Sequence, residues 1–547
     1  METMNAVHRR VVETYLSTID VDNPPTPDEI EADIINMLEK EFEYQNSIRQ
    51  KSNKLKTPHV LLPIEIAMIL IKLYPICRIP GADTTETNSD SEYDLLGLYH
   101  YDGPNAGVYT IGLDDFRKII RQFHYSISVK DMMEVISNLK DMAPIRPRCE
   151  NRDLIAVNNG IFNYTTKQLL PFTPELVFLS KSRVDYNPTA TNVVIHNDDD
   201  NTDWDVDTWF SSLSDDTEIV HLLWELVGAV IRPNVRWNKA AFLYSERGNN
   251  GKGTLCTLMR NLCGSGSHTS IPLTDFSKDF MLEPLINSSA IIVDENDVGV
   301  YIDRCANLKA VITNDIIQIN RKYKIPISYR FKGFMIQCLN EFPKIKDKSD
   351  SFYRRQLFIP MTKCFTGMER KYIKDDYLGR KEVLEYVLFK VLNTDYYTLS
   401  EPAACKNILD EYKEFNDPVR RYWDEFSNQF VWDLLPFNFL YDLFREWFKQ
   451  DSPSGTMIGK TTFIKDLINV VDTDDQWTCV DKSTKIRTSS LMNKPEMLIV
   501  DFGLKNWYNP NYKGTKPTEI VKPALAQAYR GIRRSTTSTT PAANDDA

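Results

Sequence analysis

An apolar segment, a glycine-rich turn and an amphipathic helix follow one another at residues 240–264. The segment is "AAFLYS", the turn is "ERGNNGKG" and the helix is "TLCTLMRNLCG". Glycines in such a turn let backbone N–H groups approach phosphate oxygens, and the start of the following helix favours negative charge. Short apolar segments separated by polar loops and helices continue after it, which is typical of α/β folds. The sequence therefore predicts an α/β domain with a site for nucleotide phosphates.

The turn departs from the usual G-x-x-x-x-G-K-[ST] pattern at two positions. Gly251 and Lys252 are in place, and Lys252 is predicted to reach the β- and γ-phosphates. Glu246 replaces the first glycine, and Gly253 replaces the Ser or Thr whose hydroxyl ordinarily binds Mg²⁺. Thr254 follows one place later, so either its hydroxyl or a water is predicted to take that role. Taken alone, the turn also fits a Gly/Asn loop with a surface lysine.

Polar residues follow two further apolar segments, "SAIIVDEN" and "FMIQCLN". Asp294 is predicted to hold Mg²⁺ directly or through water, Glu295 to position the attacking water, and Asn340 to contact the γ-phosphate. Arg354 and Arg355 in "DSFYRRQLFIP" can neutralise charge in a transition state, often from a neighbouring subunit. Acid pairs are common in loops, and arginines often pair with acids on their own surface. The occurrence of all these features in this order is much more specific than any one of them.

The stretch "LKAVITNDIIQINRKYKIPISYRFKGFMIQCLNEFPKIKDKSDSFYRRQLFIP" closely resembles superfamily 3 helicases. The nearest group is the phage/plasmid and poxvirus-type primase-helicases. The positions that match the family pattern are Lys309, Thr313, Asp315, Arg321, Lys322, Lys324, Asn340, Pro343, Asp347, Arg354 and Arg355. The turn matches the family's G-x-G-x-N-G-K-[ST] pattern at Gly248, Asn250, Gly251 and Lys252.

The resemblance implies an AAA+-like P-loop ATPase core with an α+β N-terminal domain and a C-terminal winged-helix-like domain. It also implies a hexameric ring that binds ATP and Mg²⁺ between subunits and moves on single-stranded DNA in the 3′→5′ direction. One subunit would supply Lys252, Asp294, Glu295 and Asn340, and the next would supply Arg354 or Arg355. The residues that would hold the nucleotide are Gly248, Asn250, Gly251, Lys252, Gly253 and Thr254.

Basic and aromatic side chains cluster between the acid pair and Asn340. The cluster comprises Arg304, Lys309, Arg321, Lys322, Lys324, Arg330 and Lys332, interleaved with Tyr323, Tyr329 and Phe331. Such a mixture suits the backbone and bases of a single strand, although a solvated basic face has the same composition. In the family this stretch forms a hairpin in the ring channel. We predict DNA contacts for Arg321, Lys322 and Lys324, and for Arg330 and Lys332, one of which we place near the hairpin tip.

Breaks in composition predict five segments. They are a mostly helical region at 1–92, the family's N-terminal associated domain at 93–205, the ATPase domain at 206–380, a helical segment with a winged-helix-like domain at 381–508, and a disordered tail at 509–547. An acidic linker at 197–207 marks one boundary. In the C-terminal domain, the basic residues predicted to meet duplex origin DNA are Lys460, Lys465, Lys482, Lys485 and Arg487. A small helical packing domain is the alternative for this part.

The composition limits partners and location. The formal net charge is −11 over 547 residues, so DNA contacts must come from local basic patches. Nine cysteines without a C-x-x-C pair indicate reduced thiols in a cytosolic protein. The longest apolar run, residues 60–76, contains Pro63, Glu65 and Lys72 and is not expected to span a membrane. We expect a cytoplasmic protein, in a bacterial host or at a viral replication site, that works with DNA and with a primase or other replication proteins.

Three alternatives remain at this level. A primase needs clustered carboxylates, and the two D-x-D pairs, 20–22 and 205–207, lie near the terminus and in the acidic linker, so no primase is expected. A small-molecule nucleotide kinase also carries GKGT, but it does not explain Asn340 or the arginine pair. An origin-binding initiator with weak or no ATPase activity is supported by Glu246 and Gly253 alone.

Overall fold

A computed structural model describes residues 2–50, 54–56, 58–82, 92–297, 301–453, 457–472, 474–479, 483–521 and 526–535. The N-terminal part packs helices around a small antiparallel sheet. Its elements are α1 (Met4–Thr18), α2 (Pro27–Ser47), α3 (Pro63–Leu73), β1 (Ile76–Ile79), β2 (Leu95–Tyr99), β3 (Tyr109–Thr110), α4 (Leu113–Phe123) and α5 (Val129–Met142). One hydrophobic core runs from Val7 to Ala143, so the boundary expected after residue 92 does not separate two cores.

Short antiparallel strands follow and lead into two helices. The elements are β4 (Leu154–Val157), β5 (Gly160–Asn163), β6 (Gln168–Leu170), β7 (Ile195–Asn197), β8 (Thr202–Trp204), α6 (Val206–Ser212) and α7 (Thr217–Ile231). The acidic linker expected at 197–207 is instead the turn and second strand of the β7–β8 hairpin. Its acids are used locally: Asp205 caps α6 by accepting from the Thr208 N–H, and Asp207 pairs with Lys390 at 2.6 Å.

A five-stranded parallel sheet in the order β10-β11-β15-β9-β17 forms the centre of the molecule. The central elements are β9 (Ala240–Tyr244), α8 (Lys252–Cys263), β10 (His268–Thr269), β11 (Ala290–Val293), β12 (Tyr301–Ile302), α9 (Ala306–Ile312), β13 (Ile316–Arg321), β14 (Lys324–Arg330), β15 (Phe334–Leu339), β16 (Lys344–Ile345), α10 (Asp350–Tyr353) and β17 (Gln356–Pro360). Residues of β9 enter two different cores, one on each face of the sheet. Burial on both faces explains why these strands are uninterrupted apolar runs.

The C-terminal part has its own core, which runs from Val419 to Ile532. The elements after the sheet are α11 (Lys371–Asp375), α12 (Lys381–Asn393), α13 (Ala403–Phe415), α14 (Pro418–Phe426), β18 (Leu434–Pro436), α15 (Phe437–Asp451), α16 (Lys460–Val471), β19 (Trp477–Thr478), β20 (Ile486–Arg487), α17 (Leu498–Asp501), α18 (Pro517–Ile520), β21 (Ala528–Tyr529) and β22 (Gly531–Arg534). No helix in these described ranges has the length and apolar character needed to cross a bilayer.

The disordered tail predicted from residue 509 is wrong for residues 509–521 and 526–535. The strand β22 is the middle strand of the sheet β18-β22-β19. Ile532 is completely buried, and the Arg534 guanidinium donates to Asp433 at 2.9 Å. The polar composition around this short strand hides its one core residue, because pairing with strands far away in the sequence stabilises it. Residues 536–547 lie outside the described part of the chain.

Candidate functional site

The glycine-rich turn joins the carboxyl end of β9 to the start of α8. Gly251 has φ 82°, and a Cβ on it would lie 2.8 Å from Cδ2 of Leu213, so only glycine fits there. Asn250 is buried, and its side-chain amide donates to the Arg247 carbonyl at 2.5 Å. The turn is therefore shaped by its own backbone and by one internal amide contact.

Lys252 and Asn340 lie together, as expected from their places in the sequence. The strand β15 pairs in parallel with β9, and Leu339 is opposite Tyr244, so the residues after both strands share one edge. The Lys252 ammonium donates to Oδ1 of Asn340 at 2.8 Å and to the Ser245 carbonyl at 3.2 Å. Lys252 is 7% exposed, and burial lowers its pKa. Both partners are neutral, which leaves a buried cation ready for an anionic ligand.

The acid pair follows β11, and β15 separates this strand from β9. Oδ2 of Asp294 accepts from the Arg260 guanidinium at 2.7 Å, while Oδ1 of Asp294 is buried without a hydrogen-bond partner. Arg260 is on α8, two turns beyond Lys252, so Asp294 lies alongside the helix rather than against the lysine. Glu295 is exposed. Sequence reasoning missed Arg260, whose only signal is its place on the helix after the glycine turn.

Two thiols lie beneath this edge. The sulfur atoms of Cys256 and Cys338 are 3.4 Å apart, and ligand atoms of both lie within 4.8 Å of a carboxylate oxygen of Asp294. The contact with Cys338 and burial raise the pKa of the Cys256 thiol well above its usual value. The two cysteines therefore fill the space between α8 and the sheet as buried, apolar side chains.

Glu246, the residue that replaces the usual first glycine, is turned towards β9. Its Oε1 accepts from the Tyr244 hydroxyl at 3.1 Å, and its side chain is exposed. The Tyr244 ring stacks on Phe342 with centroids 4.3 Å apart. The carboxylate thus has a partner outside the turn, which explains how the turn tolerates an acid at this position.

A cavity of about 450 Å³ adjoins the turn and was missed by sequence reasoning. Gly251 and Thr254 line one side, and the opposite side includes Trp209, Phe365 and Lys374. The Phe365 N–H donates to the Asn249 carbonyl at 2.7 Å, and the Asn249 amide donates to Glu369 at 3.1 Å, which ties this outer wall to the turn. The sequence signal for the wall was weak, since "FTGMERKYIKDD" has the composition of an ordinary surface loop.

Gly253, the second departure from the pattern, faces this wall. A Cβ built on Gly253 would lie 3.8 Å from the Lys374 ammonium. Lys374 is exposed and has no ion-pair partner within the described residues. An unpaired cation therefore stands beside the first turn of α8, where the usual Ser or Thr is absent.

The arginine pair lies at the opposite edge of the sheet. Arg354 and Arg355 precede β17, whose first residue, Gln356, is opposite Ala240 at the start of β9. A strand of five residues spans about 16 Å, so neither arginine is close to the glycine turn of its own chain. The Arg355 guanidinium donates to Oγ of Ser351 at 2.6 Å. Arg354 is exposed and has no side-chain partner within the described ranges.

The basic stretch forms the β13–β14 hairpin with Lys322 and Tyr323 in its turn. Tyr323 has φ 59° and is 95% exposed, and the Lys322 ammonium lies 5.4 Å from its ring centroid. Lys324 faces Glu283 at 3.8 Å. The Arg321 guanidinium donates to the Ile325 carbonyl at 2.7 and 3.0 Å, so it braces the turn. The structure brings Lys322, Tyr323 and Lys324 together at an open tip.

The expectation that Arg330 or Lys332 lies near the tip is wrong. Arg330 pairs with Ile316 at the base of the hairpin, and Lys332 forms an ion pair with Glu150 there. Tyr329 and Phe331 are 4% and 1% exposed and belong to the core, so they are not available to stack on bases. The alternation of the strand turns these aromatic residues inward because every second side chain faces the core.

The remaining basic candidates are dispersed. Lys309 forms an ion pair with Asp347 at 2.6 Å, and both belong to the pattern that resembles superfamily 3 helicases. In the C-terminal part, the Lys460 ammonium donates to Asn438 at 2.5 Å. Of the five basic residues predicted to meet duplex DNA, four are exposed, namely Lys460, Lys465, Lys485 and Arg487, while Lys482 lies outside the described residues.

Three family models match consecutive parts of the chain. Residues 109–210 match "D5 N terminal like", residues 243–355 match a family of unknown function, DUF5906, and residues 414–502 match "Poxvirus D5 protein-like". The two D5-type matches flank the central domain, so two separate segments of the chain are similar to D5-type proteins. The resemblance to poxvirus-type proteins is confirmed at this level. No curated protein matches the sequence.

Solved structures of the NrS-1 C-terminal region are similar to the chain at a low level. The apo structure of residues 305–718 is 14% identical and covers 78% of this chain and 97% of its own, with a TM-score of 0.38. An A-form apo structure of the same region is 13% identical, covers 79% and 98%, and has the same TM-score of 0.38. At this TM-score, nothing further about this chain follows from the similarity.

Proposed function

We propose that this protein is an ATP-dependent DNA helicase that serves the replication of a phage, plasmid or other mobile element. The observation that carries the proposal is the contact of buried Lys252 with Asn340 at the carboxyl edge of the parallel sheet. A buried ammonium with neutral partners is suited to the terminal phosphates of a nucleotide. The D5-type flanking matches support a role in replication.

The residues around the turn fit ATP and Mg²⁺. The free Oδ1 of Asp294 is a buried acceptor without a partner, and the Thr254 side chain lines the adjoining cavity. Asp294 would hold Mg²⁺ directly or through water, and the ion when bound would neutralise charge on the phosphates. Thr254 is two positions from Cys256, which lies beside Asp294, so its hydroxyl is on the other side of α8 and faces the cavity. Glu295, exposed at the same edge, would orient the attacking water. Asn340 would keep the Lys252 ammonium aimed at the γ-phosphate.

The cavity beside the turn would take the nucleoside. It continues from Gly251 and is lined by Trp204, Trp209 and Phe365, whose rings provide an apolar surface for a base. Lys374 lies where the phosphates would pass the first turn of α8. We infer that its ammonium contributes positive charge in the space left by Gly253.

Replacing Lys374 with alanine should raise the KM for ATP about tenfold, the usual cost of one hydrogen bond to a charged group. Binding of adenosine, which has no phosphate, should be unchanged. Lys406→Ala is the matched control, because Lys406 is an exposed lysine on α13 outside this cavity. Fluorescent-nucleotide titration and steady-state ATPase assays give both quantities. Equal KM values for the two variants would exclude the phosphate contact.

The separation of the arginines from the turn favours action between subunits. Arg354 is free and exposed at the amino edge of the sheet, whereas the turn is at the carboxyl edge. A ring in which the amino edge of one subunit faces the carboxyl edge of the next would complete each site. Such a ring would be the AAA+-like hexamer. For the C-terminal helices α15 and α16, with their sheet, we infer a winged-helix-like role on duplex origin DNA.

The hairpin tip would carry the DNA contact. Lys324→Ala should spare ATP hydrolysis without DNA but reduce its stimulation by single-stranded DNA several-fold, since one phosphate contact of the tip is lost. Unwinding should fall in parallel. Rates with and without a poly-dT oligonucleotide test this expectation. An equal loss of the DNA-free rate would instead place Lys324 in the fold or the nucleotide site.

The experiment that tests the proposed function is the ATPase rate of the wild-type protein with and without single-stranded DNA. Strong stimulation, together with strand separation, supports a translocating helicase in either polarity. Hydrolysis that is indifferent to DNA would identify a nucleotide kinase or another NTPase. DNA binding without hydrolysis would identify an origin-binding initiator whose Glu246 and Gly253 have disabled the site.

A further inference from the structure

A basic concavity lies at the base of the hairpin, on the edge of the sheet opposite the glycine turn. Its volume is about 240 Å³, and its charged lining residues are Glu150, Arg152, Arg236, Arg330 and Lys332. Four cations and one carboxylate leave three net positive charges, within a chain whose formal net charge is −11. Such a local reversal of charge marks an anion-binding surface.

The arginines of the concavity are not neutralised by the chain. Lys332 takes the one carboxylate, Glu150, in an ion pair. Arg236 is exposed without an ion-pair partner among the described residues, and Nε of Arg330 is buried without a hydrogen-bond partner. The Arg152 guanidinium rests 4.2 Å from the Tyr397 ring centroid, which orders it without using its donors. Planar groups with free N–H donors are suited to phosphate oxygens.

The face of the hairpin that is turned away from the core connects this concavity to the tip. Lys324, Ser328 and Arg330 are an even number of residues apart, so they share one face of β14, while Ile327 and Tyr329 face the core. Arg330 lies six positions after Lys324 along the strand, a distance of about 20 Å. A nucleic-acid strand held at the tip and running along this face would arrive at the arginines.

We propose that the concavity formed by Arg152, Arg236, Arg330 and Lys332 binds the phosphate backbone of single-stranded DNA as it leaves the hairpin tip. The site lies a full strand length from the glycine turn, so it is distinct from the nucleotide site. The inference rests on the proposed function only in that DNA is the polyanion that the hairpin contacts.

The double variant Arg152→Ala/Arg236→Ala tests the proposal by fluorescence anisotropy with a labelled oligothymidine. Loss of two phosphate contacts should raise Kd at least about tenfold, and the slope of log Kd against log salt should fall by about 1.4. The control Lys130→Ala/Lys406→Ala removes the same charge from exposed lysines on α5 and α13. It should leave both quantities close to the wild-type values.

A second variant and a competitor keep the outcomes separable. Arg152→Lys/Arg236→Lys retains the charge and should recover most of the affinity, which a folding defect would not allow. Tripolyphosphate should displace DNA from the wild-type protein more readily than from Arg152→Ala/Arg236→Ala, because the variant lacks the phosphate contacts for which the two anions compete. Tripolyphosphate that binds the wild-type protein through these arginines without displacing DNA would assign the concavity to a free polyphosphate and overturn the proposal. Equal affinities of the alanine variant and the control would also overturn it. Failure of the wild-type protein to bind DNA at all would instead refute the proposed function.

Discussion

Replacing Lys252 with alanine should lower ATP hydrolysis by about 10²–10³-fold, both with and without single-stranded DNA. The Lys252 ammonium is the buried cation at the glycine turn, and its donors already converge on Asn340 and the Ser245 carbonyl. Alanine removes the positive charge of the ammonium. The interaction of this charge with the γ-phosphate would be strongest in the transition state, where negative charge accumulates on the phosphate oxygens. The effect should appear in kcat as well as KM, because the contact strengthens in the transition state.

The substitution also affects the folded state in a way that can be controlled. Without the ammonium, Oδ1 of Asn340 and the Ser245 carbonyl each lose a charged donor, and a hydrogen bond to a charged group contributes about 1.5–3 kcal/mol. Thermal unfolding should therefore be measured beside activity, and Lys252→Met, which keeps most of the side-chain volume, serves as the second variant. Folded Lys252→Met with wild-type hydrolysis would refute the assignment of the turn to nucleotide phosphates.

Replacing Arg354 with alanine should reduce kcat by about 10³-fold with little change in ATP affinity, as expected for an arginine that acts on the transition state from a neighbouring subunit. Its guanidinium is exposed and free within the described residues, and it lies at the edge of the sheet away from its own glycine turn. Arg355, by contrast, is bound to Ser351 of its own chain. Arg355→Ala should therefore act mainly through stability and is the matched comparison.

Mixing the two inactive variants distinguishes a trans arginine from a local one. In a mixed ring, an Arg354→Ala subunit supplies an intact Lys252, and a Lys252→Ala neighbour supplies an intact Arg354. Activity should therefore reappear on mixing and depend on the ratio of the two proteins. A mixture as inactive as its components, although assembled, would show that Arg354 does not complete a neighbouring site.

Local spacing was sufficient to predict which residues meet at the carboxyl edge of the sheet. The strand, turn and helix at 240–264 are adjacent in the chain, and Asn340 and Asp294 both follow apolar strands. Parallel strands place their carboxyl ends at one edge, so the meeting of Lys252 with Asn340 follows from pattern alone. The hairpin followed from the resemblance to superfamily 3 helicases, while the clustering of its basic residues could be read directly because they are neighbours in sequence.

Composition gave the wrong prediction at the base of the hairpin and in the tail. Tyr329 and Phe331 have the composition of base-stacking residues, but they occupy core positions. Ile532 is the single core residue of a strand in a polar segment, and a disordered tail has nearly the same composition. In both places, burial depends on what packs against the strand, which a single sequence does not state.

The sequence by itself determined the α/β core, the glycine-rich turn, the polar residues at the strand ends and the cluster of basic residues, because each depends on contacts within one segment or on parallel order. Only the tertiary structure decided the rest. Arg260 reaches Asp294 across 34 positions, and Lys374 approaches Gly253 from the outer wall of the cavity. Arg152, Arg236 and Arg330 meet at one concavity from three separate segments. Such contacts depend on how the helices, strands and loops pack against one another. No local sequence pattern predicts a contact between side chains that are distant in the chain.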